Sequence, residues 1–349
     1  MSLVSDLARS AGYSLASKEE KDIFRGLGVD VDSSMSTDKI LNDIGLDWHF
    51  AKSDCQYGHM FQYQQGKRPV LYRLEDGMFM DVVSKDWNAP AFGETVDLFR
   101  EFASANQIDL EKIGTIQTIE DDKYGEEQLK LTLFAAGTLG SNSTMALPGS
   151  DRVDGKVILR MPYNYGYGLS VGLMAERLVC TNGMTAKVSD NLIISHKNLD
   201  VNKVRQTMQK AQAKWEKTQA DFQLLAETEM PMSVAVTQLV KQFGDPLKTL
   251  ADQNKVVQSL IEQFESGHYM GGEMLSAYNT CWGLLNVATE YLNHNYGKQK
   301  NATKLVDRVI DPTSAVNVKQ SEFLASISGF AYAERNRQAN TQTVAVRAW

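Results

Sequence analysis

The chain has 349 residues, 43% of them hydrophobic, and a formal net charge of −7. That length allows one large domain or two ordinary ones, each with a buried core, and the acidic balance speaks against wholesale binding to a polyanion. No apolar run approaches the roughly 20 residues of a membrane-spanning helix, so no membrane partner is expected. The first residues, Met1 to Asp6, lack a basic segment followed by an apolar one, and Cys55, Cys180 and Cys281 are odd in number and far apart. Both features point to a reducing cytoplasm rather than to export and disulfides.

Residues 1–45 read as short helices: Ser2 to Gly12, Ser17 to Gly26, and a third entered at Ser36-Thr37 and closed by Gly45. Ser, Thr and Asp supply the N-caps and glycine the left-handed exit. Residues 46–200 read as a sheet core. Met60 to Tyr63 and Pro69 to Leu74 are strand-like, Asp76-Gly77 predicts a tight turn into Met78 to Ser84, and a helix over Glu94 to Ala103 interrupts the sheet. Alternation resumes at Ile113 to Ile119, Gln128 to Phe134, Lys156 to Met161, Leu169 to Val179 and Val188 to Ile194, with Gly137 to Thr144 as a long polar loop or β-arm. Residues 201–349 turn helical. Val204, Met208, Ala211, Trp215, Thr218, Phe222 and Leu225 form a coiled-coil-like seam, which predicts self-association or tight docking within the chain. Further helices are expected at Met232 to Phe243, Pro246 to Phe264, Met270 to Tyr296 and Gln320 to Arg335. The fold class is therefore α+β, a mixed or antiparallel sheet core with a helical C-terminal half, and not a βαβ nucleotide-binding sheet.

Catalytic signatures are scarce. No Walker-type phosphate loop, nucleophile elbow, His-Glu-x-x-His or Cys-x-x-Cys pair occurs, so an enzyme is disfavoured and no cofactor is expected. Glu290 and His294 share one face of a helix at i, i+4, the spacing of two metal ligands or of an acid–base pair, with a charged hydrogen bond that tethers the helix as the ordinary alternative. Cys55 and His59 beside Asp54 lack a second ligand pair, and Glu120-Asp121-Asp122 with Glu126-Glu127 reads as a solvated hairpin tip more simply than as a Mg²⁺ site. Arg177-Leu178-Val179-Cys180-Thr181-Asn182-Gly183 reads as a strand ending in an Asn-Gly turn, with Arg177 as a candidate ligand contact.

Charge is unevenly distributed. From Arg152 to Lys217 eleven basic residues face five acids, whereas Asp97 to Glu127 carries nine acids and three bases. Within the basic stretch Tyr163, Tyr165 and Tyr167 alternate just after Arg160, so an extended segment places the three rings on one face, as a platform on which bases stack. Lys203, Lys210, Lys214 and Lys217 each precede a seam residue and form one basic stripe along the seam helix. The ordinary alternatives are a tyrosine ladder packed against a neighbour and a solvated helix face.

Several blocks carry a family resemblance: Gly45-Leu46-Asp47-Trp48, Val70-Leu71-Tyr72-Arg73 through Val82-Val83-Ser84, Arg177 to Met184, Tyr278-Asn279-Thr280-Cys281-Trp282, and Glu290-Tyr291-Leu292-Asn293-His294. With these the chain resembles the phage/plasmid-like protein family, the domain of unknown function 932, over roughly Gly45 to His294. The resemblance implies a mobile-element context and supplies no catalytic residues. Three functions compete. The first is an oligomeric single-stranded DNA binding or annealing factor using Arg160, Tyr163, Tyr165, Tyr167, Arg177 and the four lysines, with single-stranded nucleic acid and its own copies as partners. The second is a non-enzymatic assembly or host-interaction protein, and the third a metal-dependent enzyme built on Glu290 and His294.

Overall fold

Period-two alternation decides the larger sheet, because its central strands bury side chains on both faces. The computed structural model describes residues 23–24, 26–59, 62–88, 90–121, 127–140, 143–164, 168–177, 182–187, 201–296, 309–311 and 313–347, with the side chains at 54–59, 62–67, 121, 182–187, 201–205, 208 and 341–347 outside the description. The sheet contains β1 (Val29–Asp30), β5 (Asp109–Asp121), β6 (Glu127–Thr138), β7 (Thr144–Leu147), β8 (Asp151–Pro162), β9 (Ser170–Arg177) and β10 (Asn182–Lys187). Its order is β1-β5-β6-β8-β9-β10, all pairs antiparallel, and β7 pairs with the first residues of β8 beyond the end of β6. A smaller antiparallel sheet joins β2 (Phe50–His59), β3 (Gln62–Arg73) and β4 (Phe79–Val82). The class is α+β.

Odd-numbered residues of β8 and β9, among them Val153, Val157, Leu159, Val171, Leu173 and Ala175, belong to the main core. Even-numbered Ile158 and Met174 join Ile116, Phe134, Phe24 and Ile310 in a second cluster on the opposite face. The cross-strand register pairs Val157 with Leu173 and Lys156 with Met174, so parity is kept from strand to strand. The main core is closed by helices α2 (Phe92–Ala105), α3 (Val201–Glu227), α4 (Met232–Phe243), α5 (Lys255–Ser266), α6 (Cys281–Glu290) and α7 (Ala315–Arg347), following α1 (Thr37–Asp43) at the N-terminal side.

Local signals set many of the helix ends. The Ser36 hydroxyl accepts from the Lys39 N–H, Gly45 takes φ +72° after α1, and the Glu94 carboxylate accepts from the Ala91 N–H before α2. Two helices begin later than their periodicity suggests. α5 starts at Lys255 on the Asn254 cap, because Gln253 is buried with its side-chain amide on the Asp245 backbone, holding residues 245–253 as a loop with one 3-10 turn at Leu250–Asp252. α6 starts at Cys281 on the Thr280 cap, and the preceding stretch from Met270 folds into turns with Gly271 and Asn279 at positive φ. Asn182 and Gly183 lie inside β10, paired with Arg177 and Glu176, and not in the turn expected of them. The helix expected at Ser2 to Gly12, most of that expected at Ser17 to Gly26 and the strand expected at Val188 to Ile194 lie outside the described residues.

The seam of α3 docks within the chain. Ala211, Trp215, Phe222 and Leu225 are all buried in the main core, and the Phe222 ring sits 4.7 Å from that of Trp282 on α6. Trp215 lies flat over Gly155 of β8, where an added Cβ would come within 2.5 Å of the indole. Gly155→Ala should therefore lower stability by about 1–3 kcal/mol through overpacking. Trp215→Leu in the same chain should recover part of the loss, a coupling that denaturant melts of the two single and the double variants measure.

Candidate functional site

Arg177 ends β9 on the core face, and Asp151 opens β8 on the same face. The two form a buried ion pair, 2% and 0% exposed, with the Arg177 Nη2 2.7 Å from Asp151 Oδ2 and its Nε 2.9 Å from Oδ1. The Ser276 hydroxyl and the Trp282 indole N–H donate to the same carboxylate at 2.7 and 3.0 Å. The guanidinium donates onward to the carbonyls of Met270 and Gly271, both at 3.1 Å, and faces the Trp282 ring at 5.8 Å. Burial pushes the Asp151 carboxyl up, but the bonds and charge of Arg177, with the Ser276 and Trp282 donors, outweigh it and hold the group below the usual carboxylate range. Arg177 is thus spent in tying the sheet to the 270–282 turns and α6, and presents no side chain to a ligand. Its partners Asp151 and Ser276 carry no sequence signal, since both are common polar residues beside turns.

The other sequence candidates separate. Arg160 is even-numbered, so it projects from the face opposite Arg177, where its guanidinium pairs with Asp311 at 3.2 Å. Lys156 on that face lies between Glu111 and Glu176, each at 2.9 Å. Burial pulls its pKa down, yet the two carboxylates prevail and keep it raised. Three cations of the basic stretch are therefore neutralised inside the protein. Tyr163 is fully buried, its hydroxyl 2.7 Å from that of Thr95 and its ring against Phe50 and Phe92 at 5.4 and 5.0 Å. It shares the inward parity of Leu159 and Met161, which corrects the expectation of a stacking platform at this ring. Tyr165 and Tyr167 lie outside the described residues.

The α3 lysines keep their expected arrangement. Lys210 and Lys217 are exposed and Lys214 is half-buried, one position before Ala211, Thr218 and Trp215 respectively. Spaced by four and three residues, they form one row on the helix. Lys203 is on the same helix, with its side chain outside the description. Of the apolar row beside them, Ala211, Trp215, Phe222 and Leu225 are covered by the chain's own core.

Glu290 closes α6 and His294 lies in the π-helical turn Tyr291–Asn295. The Glu290 carboxylate accepts from the Met270 N–H at 3.1 Å, the tethering hydrogen bond that was the ordinary alternative to a metal. Burial raises its pKa against the opposing pull of that N–H and of Arg177. Among the described residues no three His, Cys, Asp or Glu side chains gather as a metal site requires. Burial also pushes the Cys281 thiol up to about 12, which leaves it protonated at neutral pH. Cys180 lies outside the described residues, as do the side chains of Asp54, Cys55 and His59. Of the acidic cluster, Glu120 and Asp121 end β5, where Asp121 pairs with Glu127 of β6, and Asp122 and Glu126 lie outside the described residues.

The model of the family described as Domain of unknown function (DUF932) matches residues 80–316. This span begins after the Gly45–Trp48 and Val70–Arg73 blocks and contains Asp151, Arg177, Ser276, Trp282 and Glu290. No curated protein and no solved structure matches the chain.

The buried pair makes a pH-dependent contribution. A depressed folded-state pKa on Asp151 gives stability that is present above the ordinary aspartate value of about 3.9 and lost as pH falls through the lower folded value. Asp151→Asn leaves Arg177 charged and buried, and should cost about 3–5 kcal/mol at pH 7. The gap to wild type should close on acidification. Asp151→Leu with Arg177→Met should regain much of the loss, as urea melts at pH 7 and pH 3 would measure.

Proposed function

This chain belongs to the DUF932 family, and we propose that it is a nucleic-acid-associated protein of a phage or plasmid that binds single strands without catalysing a reaction, as an oligomeric binding or annealing factor in the bacterial cytoplasm. The observation that carries this reading is the row Lys210, Lys214 and Lys217 on the flank of α3, with Lys210 and Lys217 exposed. Five basic residues stand against one acid between Val201 and Lys217. Among the described residues neither Lys210 nor Lys217 forms an ion pair, in contrast to Lys156, Arg160 and Arg177. A rigid helix carrying cations at i, i+4 and i+7 holds them in register for a phosphate backbone, and the burial of Trp215 and Phe222 fixes the rotation of the helix so that the row stays outside.

With Arg160, Arg177 and Tyr163 occupied inside the protein, the interface rests on phosphate contacts, which are insensitive to sequence and strongly sensitive to salt. The excess of acid elsewhere in the chain confines binding to this flank.

Lys210→Glu with Lys217→Glu should weaken retention of a single-stranded oligonucleotide in a mobility-shift assay and flatten the slope of log affinity against log salt by about 0.7 for each phosphate left without its lysine. The melting temperature should hold, because both side chains are exposed. A wild-type protein that retains no single strand at low salt ends this reading.

A further inference from the structure

Behind the lysine row, α3, α7 and β9 line a half-open pocket of about 420 Å³, within the range of about 300–1,000 Å³ in which small-molecule sites occur. Leu173 and Ala175 of β9 form its floor, and Trp215 and Leu324 contribute apolar walls. Lys214 and Lys217 line it from α3. A hydrogen bond of 2.6 Å from the Tyr332 hydroxyl to Asp221 bridges α7 to α3 beside it. Ser328 also lines the cavity, and its hydroxyl oxygen is buried with no hydrogen-bond partner among the described residues. At Gly329, another lining residue, an added Cβ would meet nothing within 4 Å.

We propose that this cavity accepts the base of one nucleotide of a bound single strand, with the flanking phosphates on Lys214 and Lys217. The inference rests on the single-strand reading above and names what the α3 flank holds besides phosphate. A nucleobase has two apolar faces for the aliphatic and indole walls, and an edge of donors and acceptors for a buried hydroxyl such as Ser328. An acyl chain of similar volume would leave that hydroxyl unsatisfied. The cations lie on the wall that the strand itself follows, so base and phosphate are met from one helix.

The test compares two strands of equal length, one fully abasic and one abasic except for a single thymidine, by fluorescence anisotropy at low salt. Wild-type protein should hold the thymidine strand about tenfold more tightly, the contribution of one well-seated base. Gly329→Leu fills the cavity while improving helix propensity, so it should fold at least as stably as wild type. It should bind the abasic strand like wild type and lose the thymidine preference. Ser328→Ala should reduce that preference without changing the salt slope, whereas Lys217→Gln should flatten the slope for both strands. A Gly329→Leu variant that keeps the preference, or a wild type that binds both strands equally, overturns the cavity inference and leaves phosphate binding intact. Retention of neither strand removes the single-strand reading as well. Thymidine monophosphate binding as tightly as the thymidine strand would make the cavity a free-nucleotide site and overturn its assignment to a strand.

Discussion

The ion pair between Arg177 and Asp151 couples more elements than any other interaction described. Two charges taken out of water carry a desolvation cost of several kcal/mol each, which a single pairing does not offset unless the remaining hydrogen-bonding capacity is also met. Here the carboxylate receives Arg177, Ser276 and Trp282, and the guanidinium reaches the Met270 and Gly271 carbonyls. The pair therefore joins the β8 and β9 ends to the 270–282 turns and to the first turn of α6. Glu290 adds a second tie from the far end of α6 to the Met270 N–H, so the turn segment is held from both sides.

From this junction the placement of α3 follows. Trp282, fixed by its bond to Asp151 and lying against the Arg177 guanidinium, meets Phe222. Further along the helix, Gly155 lets the Trp215 indole settle onto β8. Two anchors on one helix fix its rotation, and rotation determines which flank is wet. Lys210 and Lys217 are exposed because the seam beside them is buried twice over, by a glycine in a strand and by an aromatic ring on another helix.

Sheet parity sorts the remaining cations. Lys156 and Arg160 project from the face opposite α3 and meet Glu111, Glu176 and Asp311 there. Arg177 projects toward α3 but ends in the buried network. A stretch of sequence that looks uniformly basic thus divides into an interior set that is neutralised and a helical set that meets solvent. Only the second can attract a polyanion, since a paired, buried charge contributes little to the field outside the protein.

The sequence by itself determined what depends on near neighbours: the α+β class, the Asp76-Gly77 turn into β4, the Ser36 cap, the seam of α3 and the lysine row along it. Each follows from spacings of a few residues, where backbone geometry alone relates one side chain to the next. Tertiary structure decided everything that required knowing which face is covered. Period two places Tyr163 on one side of an extended segment but does not say that this side is also the side of Leu159 and Met161, packed under Phe50 and Phe92. Likewise Arg160 and Arg177 read alike as strand arginines, and only the β8–β9 register sets them on opposite faces. The stretch from Met270 to Thr280 has helical spacing, yet the carbonyls of Met270 and Gly271 turn toward a guanidinium 93 and 94 residues away. Local pattern carries no information about a partner at that distance, so the interactions that decide the site were invisible until the chain had folded around them.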